Sequence, residues 1–559
     1  MKPGTWRLKN GAWHLKPGAW SLTPVFVLLA STVLVAAQSS GAIVGRVTDP
    51  SGAVVQGATV TARRLGGAER VTSSDEHGNF YLLGLLPGDW EVAIQASGFQ
   101  TSQSRAFVHV GGQWRHDTQL EIGLSTVVRV VDAAAASPNS ATLSYVVPAT
   151  AVETMPLNQR DFMGLVALGP GPIPRHLGGL IVDGFTDLQP RRGEVGLNFP
   201  INGARANMNA HLLDGASNSD GHIQAFVASP PIDSILEFRV QTSNSSAEFG
   251  RMGGGQINVV TRSGTDQWRG SVFEFLRNEK LDARNFFDPP DQKKIPFKQS
   301  QFGGNLSGPM PLPDLGAGPV FFFGGYEGLR SRLAHTSLVT VPTAALRSGD
   351  FSARRPIFDP ASFDASTGRR LPFPSNQIPQ GRIDPIARLL LDQFQPLPNR
   401  PGDLDNYADS RPQAKRRDGL ALRIDHAGSA KDSVFARYTL NDDRDVLPGF
   451  FPRTGTLIDL RAQNLVLAHD HVFSSSSHNN WRFGFNRLRL FDVPENAFTN
   501  DAVGKLGIAG IDRDPVNFGL PRFDIPGFVM AGDEILLPIS QRNNTFHLSD
   551  SLSLVRGRH

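Results

Sequence analysis

The chain has 559 residues, more than one ordinary domain, with 57 glycines, 40 prolines and no cysteine. Phenylalanine (36) far outnumbers tyrosine (5), and only 19% of residues are charged, which favours many short strands over a helical protein. The formal charge is +3, but four lysines and arginines precede Gln38 with no acidic residue among them. Without those four the charge is −1, so the basic balance gives no support to nucleic-acid binding.

Residues 1–37 have the order of a secretory signal. A basic segment comes first, an apolar run over residues 25–35 follows, and small residues precede the bond between Ala37 and Gln38. We expect cleavage after Ala37. A membrane anchor is the alternative, but the apolar run is shorter than the ~20 residues that a helix needs to cross a bilayer.

Residues 41–122 predict a small β-sandwich. Alternating segments lie at 43–48, 58–63, 80–83 and 90–96, separated by turn sequences. The histidines of this region lack the spacing of metal ligands, and we interpret them as surface residues: His77, His109 and His116.

Residues 149–265 are polar and rich in glycine. We expect a short helix over 162–168 and strands at 237–241 and 256–261. Four polar side chains could bond to a surrounding wall, although turn chemistry is the simpler interpretation of such residues: Asn202, Arg205, Asn209 and Asp214.

Residues 268–559 alternate systematically between apolar and polar positions. Eight strands are predicted, at 270–277, 300–307, 319–327, 419–427, 433–440, 462–473, 480–490 and 544–555. The connections between them alternate between long and short, with 441–461 among the long ones. Outer-membrane barrels show this alternation because their periplasmic turns are short and their extracellular loops are long. A soluble sandwich has no reason to show it.

Sequence motifs of hydrolases, metalloproteases and nucleotide-binding loops are absent. His469 and His471 share a strand face, but the sequence offers no evident third metal ligand. Residues 441–445 are acidic, and we predict a solvated loop there rather than a calcium site. The sequence therefore assigns no catalytic residue, cofactor site or metal site.

Several stretches resemble TonB-dependent outer-membrane receptors of the Oar-like branch. They are NGARANMNAHLLDG from residue 202, EFRVQTSNSSAEFGRMGGGQINVVTRSGT from 237, GSVFEFLRN from 270, LDARNFF from 281, FFFGGYEGLR from 321, VPTAALRSGDFS from 341 and RIDH from 423. GRVTDPSGAVVQGATVTA and DEHGNFYLLGLLPGDWEV resemble the carboxypeptidase-regulatory-like domain, a transthyretin-like sandwich grouped with carbohydrate-binding-like folds.

The resemblance implies a mainly β protein: a transthyretin-like sandwich, then a plug domain, then an antiparallel transmembrane β-barrel in the outer membrane of a Gram-negative-type bacterium. It implies a receptor that binds and imports rather than an enzyme, with an extracellular ligand (a siderophore, glycan or peptide), outer-membrane lipid around the barrel, a TonB-type energy-coupling partner in the periplasm and no nucleic acid.

Between sandwich and plug, residues 123–148 hold a β-branched run and an Ala/Ser-rich linker. By resemblance, this is where a TonB box would lie, a segment that adds as an edge strand to the energy-coupling partner. Its candidate residues are Thr126, Val127, Val128, Arg129, Val130 and Val131. The alternative is that the run is the last strand of the sandwich.

Two functional alternatives to transport stay open: a non-transporting adhesin or structural surface protein, and a carbohydrate-binding protein. We also expect an incomplete barrel, because eight strands enclose too little space for a plug. The strand predicted at 544–555 should then lie at a free sheet edge.

Overall fold

The computed structural model describes residues 40–64, 69–123, 126–128, 142–157, 160–173, 199–221, 224, 226–244, 250, 253–284, 294–311, 318–334, 336–429, 431–474, 476–534 and 536–555. In this part of the chain, no helix has both the length and the apolar character needed to cross a membrane. The predicted signal, with Ala37 and Gln38, lies outside the described residues, as do Arg129, Val130 and Val131.

The N-terminal unit is a two-sheet sandwich. Its strands are β1 (Gly41–Thr48), β2 (Thr59–Arg64), β3 (Glu69–Ser73), β4 (Asn79–Leu85), β5 (Gly88–Gln95), β6 (Thr101–Val108), β7 (Gln113–Arg115), β8 (Thr118–Gln119) and β9 (Thr126–Val128). One sheet has the order β4-β1-β7, with β8 also on β1, and the other has the order β3-β2-β5-β6-β9.

The sandwich core follows from the alternation of its strands. Side chains along β5 are buried at every second position, which places Trp90, Val92 and Ile94 inside. Phe80 on β4 and Ile43 on β1 meet them from the opposite sheet, and all five side chains are at most 2% exposed. Their burial supplies the main stabilising contribution of this unit.

The second unit is the plug candidate. Helix α1 (Ala149–Thr154) and a 3-10 helix (Phe162–Leu168), capped by the Asp161 side chain, pack on a sheet of five strands. These strands are β10 (Leu143–Pro148), β11 (Ala210–Leu213), β12 (Ala216–Ser217), β13 (Ile235–Ser243) and β14 (Gln256–Thr261), in the order β10-β13-β14-β11-β12.

The third unit is one eight-stranded antiparallel sheet, which we call the wall. In chain order its strands are β15 (Arg269–Asn278), β16 (Phe297–Pro309), β17 (Val320–Ala334), β20 (Pro412–His426), β21 (Asp432–Leu447), β22 (Thr456–Ser474), β23 (Ser477–Pro494) and β24 (Ile539–Leu554), with the small pair β18 (Ser337–Val339) and β19 (Tyr407–Asp409) inside one connection. Each wall strand pairs with its neighbour in sequence, and β15 and β24 form the two edges without pairing to each other.

The two faces of the wall differ in character. Side chains alternate along β23. Arg482 and Asn486 are buried toward the plug, whereas Trp481, Phe483 and Phe485 face outward. Outward apolar side chains recur in the same rows on the neighbouring strands: Leu422, Ile424, Val434, Leu467, Phe546 and Leu548 are 37% to 70% exposed. This outward apolar surface is what a lipid-facing belt requires.

The long connections of the wall carry structure of their own. They include α2 (Ala344–Arg347), α3 (Pro385–Phe394), α4 (Ala502–Leu506) and 3-10 turns at Pro360–Ser362, Pro374–Asn376, Gln380–Arg382 and Pro515–Asn517. Helix α3 starts with Pro385 after an Asp384 cap, and its Leu390 and Phe394 pack on Leu506 from α4. Two loops far apart in sequence thus share one apolar core. It lies at the end of the wall where the long connections emerge, which we call the long-loop end.

The predicted fold class, a mainly β chain with sandwich, plug and incomplete barrel, is confirmed by the two sandwich sheets, the five-stranded sheet and the open eight-stranded wall. All eight wall strands form, and β24 lies at an edge. Two details of the prediction were wrong. The acidic residues 441–445 lie inside β21 rather than in a loop, and the connection at 441–461 shrinks to residues 448–455 because both flanking strands continue past the expected ends.

Charged substitutions on the outward face test whether that face of the wall is a lipid-facing belt. Leu467→Arg places a charge in the middle of the outward apolar rows and should destabilise the folded protein by about 2–4 kcal/mol in a lipid bilayer. Phe473→Arg lies on the same strand face near the strand end, where the cost should fall to about 0–1 kcal/mol. Urea unfolding in lipid vesicles measures both. Equal costs at the two positions would contradict the belt assignment.

Candidate functional site at the contact between plug and wall

A tight turn presents the Asp214 carboxylate to the wall. Asp214 and Gly215 connect the paired strands β11 and β12, and both have positive φ, of 50° and 76°. An Asp-Gly pair suits such a two-residue hairpin, because Asp tolerates and glycine freely adopts the left-handed region. The backbone therefore fixes where the carboxylate lies.

Each oxygen of Asp214 has one partner in the plug and one in the wall. Within the plug, Thr261 donates its backbone N–H to Oδ1 at 2.8 Å and its hydroxyl to Oδ2 at 2.9 Å. From the wall, Arg437 Nε donates to Oδ2 at 2.9 Å and Arg423 Nη1 donates to Oδ1 at 3.3 Å. This carboxylate thus joins two separate units of the chain.

The two arginines are anchored on the wall by further bonds. Arg437 donates to the side-chain oxygen of Asn464 at 2.6 Å, and Arg423 makes bonds of 2.7 to 3.0 Å with Asp425. The side chains of Asp214, Arg423 and Arg437 are 2%, 5% and 0% exposed. Burying these charges is tolerable only because each one is paired and hydrogen-bonded.

A second buried group of charges lies beside the first. Asp470 on β22 accepts from Asn480 at 2.6 Å and contacts His478 Nε2 at 3.2 Å. Arg482, fully buried on β23, interacts electrostatically with both Asp470 and Asp214. The inner face of the wall at this level therefore combines buried carboxylates with buried guanidinium groups.

Amide contacts extend the junction along the wall. Asn441 receives the backbone N–H of Ser229 at 2.7 Å and donates to its carbonyl at 2.8 Å. Asn464 and Asn486 donate to plug carbonyls, at Ser217 and Ser219, over 3.2 Å and 3.1 Å. The plug is thus held by polar groups on several successive wall strands.

Of the four plug residues singled out from sequence, Asp214 bonds to the wall. Asn202, at positive φ, donates to the carbonyl of Thr242, and buried Asn209 bonds to the backbone of Phe199 and Gly255. Arg205 is exposed. Asn202 and Asn209 therefore serve the internal turns of the plug, which was the simpler interpretation of their pattern.

The sandwich docks on the plug through β13. Glu237, fully buried, accepts the backbone N–H of Val110 at 2.7 Å and pairs with His109 Nδ1 at 2.7 Å. Arg239 donates to the carbonyls of Val110 and Gly111 at 3.0 and 2.8 Å. Two neighbouring charged side chains of the plug thus hold one loop of the sandwich.

The sandwich also contacts the wall at the end opposite the long loops. The short turns between wall strands lie there, and we call it the short-turn end. Arg70 donates to the Ser429 carbonyl at 3.3 Å and to the Ser433 hydroxyl at 3.2 Å. Gly84 lies so close to His478 that an added Cβ would overlap the imidazole ring. Sandwich, plug and wall therefore form one contiguous packing unit.

The TonB-box candidate is extended over its described part. Thr126, Val127 and Val128 form β9 and pair in parallel with Thr101–Gln103 at the edge of the sandwich sheet. The pairing covers three residues and leaves β9 at the end of the sheet order. A role as a TonB box stays a prediction.

Burial and charge set the protonation states inside the plug. Burial alone would raise the pKa of Asp214, but the guanidinium groups of Arg437 and Arg423 outweigh it and hold that pKa below its ordinary value. His211 on β11 is fully buried against Phe226, and burial lowers its pKa to about 4. The plug thus contains a carboxylate kept charged and an imidazole kept neutral.

Comparison with known proteins accounts for this architecture. Residues 260–559 match the family described as outer membrane beta barrel domain. The chain belongs to that family. Residues 42–121 match the carboxypeptidase regulatory-like domain. A barrel of this family lies in the outer membrane of Gram-negative bacteria, which confirms the predicted localisation.

A curated relative carries the resemblance that the sequence motifs suggested. The TonB-dependent transporter Oar of Myxococcus xanthus is 27% identical over 322 residues, which cover 54% of this chain and 28% of Oar. The chain thus spans less than a third of that relative's length. The predicted resemblance to Oar-like TonB-dependent receptors is confirmed.

Two solved outer-membrane proteins show a weaker likeness. The outer membrane transporter YddB from Escherichia coli is 11% identical with a TM-score of 0.43, over 74% of this chain and 45% of YddB. The ferric enterobactin receptor PfeA from Pseudomonas aeruginosa is 10% identical with a TM-score of 0.35, over 63% and 41% of the two chains.

Asp214→Asn tests the junction with a change that keeps the side-chain size. It removes the negative charge but leaves the two buried arginines, so the free energy of unfolding should fall by about 3–5 kcal/mol. Asp459→Asn is the matched control, because Asp459 forms an exposed ion pair with Arg444 and should change stability little. Equal effects of the two substitutions, measured by denaturant unfolding, would show that the buried charge is unimportant.

His211 gives the plug a pH dependence. Its folded-state pKa of about 4 lies below the ordinary value of 6.5, so its neutral form favours folding. Its contribution is complete above about pH 6.5 and is lost as the pH falls toward about 4. We expect His211→Gln to weaken the loss of thermal stability between these pH values, whereas His77→Gln, in an exposed turn of the sandwich, should not. Identical pH profiles for wild type and His211→Gln would refute this.

Proposed function

We propose that this protein is a TonB-dependent receptor that captures an extracellular ligand and imports it with energy supplied by a TonB-type periplasmic partner. The observation that carries the proposal is the Asp214 junction, which fixes a polar plug against the inner face of an outer-membrane wall by reversible polar bonds in addition to small apolar contacts. Similarity to the transporter Oar supports the same conclusion.

In the proposed mechanism, β9 is the point of energy coupling. β9 is a short strand at a sheet edge, and its three-residue pairing with Thr101–Gln103 is small enough to be exchanged for pairing with another sheet. The energy-coupling protein would take β9 as an added strand and pull on the plug that follows it. Movement of the plug away from Arg423 and Arg437 would then open a path along the wall.

Ligand capture is assigned to the long-loop end. The loops there pack against each other through Leu390, Phe394 and Leu506. They therefore form one folded surface rather than independent, unpacked loops. Siderophores, glycans and peptides are the candidate ligand classes. A binding screen across these classes identifies which of them the folded loops hold.

A disulfide lock tests the coupling role of β9. The natural sequence has no cysteine, so Ser102→Cys with Val127→Cys adds one defined pair. These residues are register partners on adjacent strands, which lie about 4.8 Å apart, within the Cα separations of about 4.4–6.8 Å that a disulfide spans. The oxidised protein should neither co-purify with the energy-coupling partner nor import ligand, and reduction should restore both.

The matched control places a disulfide elsewhere in the same sheet. Glu91→Cys with Arg105→Cys joins register partners on β5 and β6 and leaves β9 unlinked. This pair should not respond to oxidation. Uptake that continues with β9 locked would reject the coupling role, and binding of ligand without any uptake in the reduced protein would favour a non-transporting adhesin.

A further inference from the structure

The outer face of the wall carries a cluster of three metal-ligating side chains. Asp432, at the start of β21, lies directly opposite His471 on β22, and His469 is the next outward residue along β22. Their ligand atoms all lie within 4.8 Å of one another. The sequence offered only the two histidines, because Asp432 is brought to them by strand pairing.

One oxygen of the carboxylate faces both imidazoles. Asp432 Oδ1 is 2.7 Å from His471 Nδ1 and 3.1 Å from His469 Nε2. Ligands bound at 2.0–2.2 Å to one small divalent ion lie about 3 Å apart, so these separations need little change on metal binding. The three side chains are 30% to 42% exposed near the end of β22, so no other part of the described protein covers the cluster.

Neighbouring groups hold two of the ligands in place. The Ser429 hydroxyl donates to Asp432 Oδ2 at 3.0 Å, which turns Oδ1 toward the histidines, and Phe473 packs edge-on against the His471 ring with centroids 4.5 Å apart. Such outer contacts orient metal ligands and strengthen binding.

We propose that Asp432, His469 and His471 bind one first-row divalent transition-metal ion, with Zn²⁺ as the representative member. Two imidazoles and a carboxylate are a ligand set that such ions favour, and three protein ligands leave a fourth position to water. The ion would join β21 to β22 at the short-turn end of the wall.

The site also adjoins the contact between wall and sandwich. Ser429, which holds Asp432, offers its backbone carbonyl to Arg70 of the sandwich at 3.3 Å. A bound ion therefore rigidifies the same turn on which the sandwich docks. Zinc should raise the thermal stability of the protein, because a ligand that binds the folded state shifts the folding equilibrium toward it.

Zinc titration of the full chain tests the proposal. The protein is folded into lipid vesicles, stripped with a chelator and titrated with Zn²⁺ by calorimetry, with one ion per chain expected at the site. Outer contacts of metal ligands contribute about 10–100-fold in affinity, so removing a ligand itself, by Asp432→Asn or by His469→Gln with His471→Gln, should weaken binding at least that much. Thermal stabilisation by zinc should disappear in the same variants.

His77→Gln is the matched control, since His77 is an exposed histidine of a sandwich turn distant from the cluster in sequence. It should bind zinc as the wild type does. Equal affinity in wild type and cluster variants, or no saturable zinc binding by the wild type, would overturn the proposal.

Should the variants fail to fold, X-ray absorption of the zinc-loaded wild type decides. Two imidazole ligands and oxygen donors support the site, and any other donor set overturns it.

Discussion

The architecture depends on one buried carboxylate, Asp214, which two wall arginines and one plug threonine share. Charge burial of this kind contributes modestly to net stability, but separating the partners leaves uncompensated charge at a buried position. The junction is therefore a strong constraint on position. Plug and wall are matched by charge at one place and by amide groups at others, rather than by apolar packing alone.

Buried charged side chains also attach the sandwich to the plug. Glu237 and Arg239 lie on β13, whose neighbour β14 carries Thr261, a partner of Asp214. The plug sheet thus provides hydrogen-bonding side chains to the sandwich and also to the wall. The plug therefore contacts both neighbouring units through buried charged side chains, Glu237 toward the sandwich and Asp214 toward the wall.

Sequence patterns predicted the wall well because one face of each strand is apolar and the other polar. They ended the strands too early at the long-loop end, where residues such as 412–418 (PQAKRRD) are polar on both faces yet still pair with β17. β6 (Thr101–Val108) was missed for a similar reason, since its sequence TSQSRAFV opens with polar residues on both faces. Backbone pairing in these segments is supplied by neighbours, not by their own amphipathic pattern.

The functional contacts were partly predictable. Asp214 was singled out as one of four polar side chains that could bond to a surrounding wall, and the inward positions of Arg423 and Asp425 follow from strand alternation. The contact of Asp214 with the two arginines could not be predicted from sequence, because Asp214 is 209 positions from Arg423 and 223 from Arg437. The third member of the histidine cluster escaped notice because Asp432 is 37 positions from His469.

The placement of β10 at the edge of the plug sheet sets the order in which tension would act. The chain enters the plug through Leu143–Pro148, which pairs with β13 alone, whereas Asp214 lies at the far end of the sheet order, past β14 and β11. A force applied upstream of Leu143 loads the β10 ladder first and reaches the Asp214 turn last. Under the proposed transport function, partial unravelling from β10 can therefore precede any rupture of the ionic junction, and a path for the ligand would not require expulsion of the whole domain.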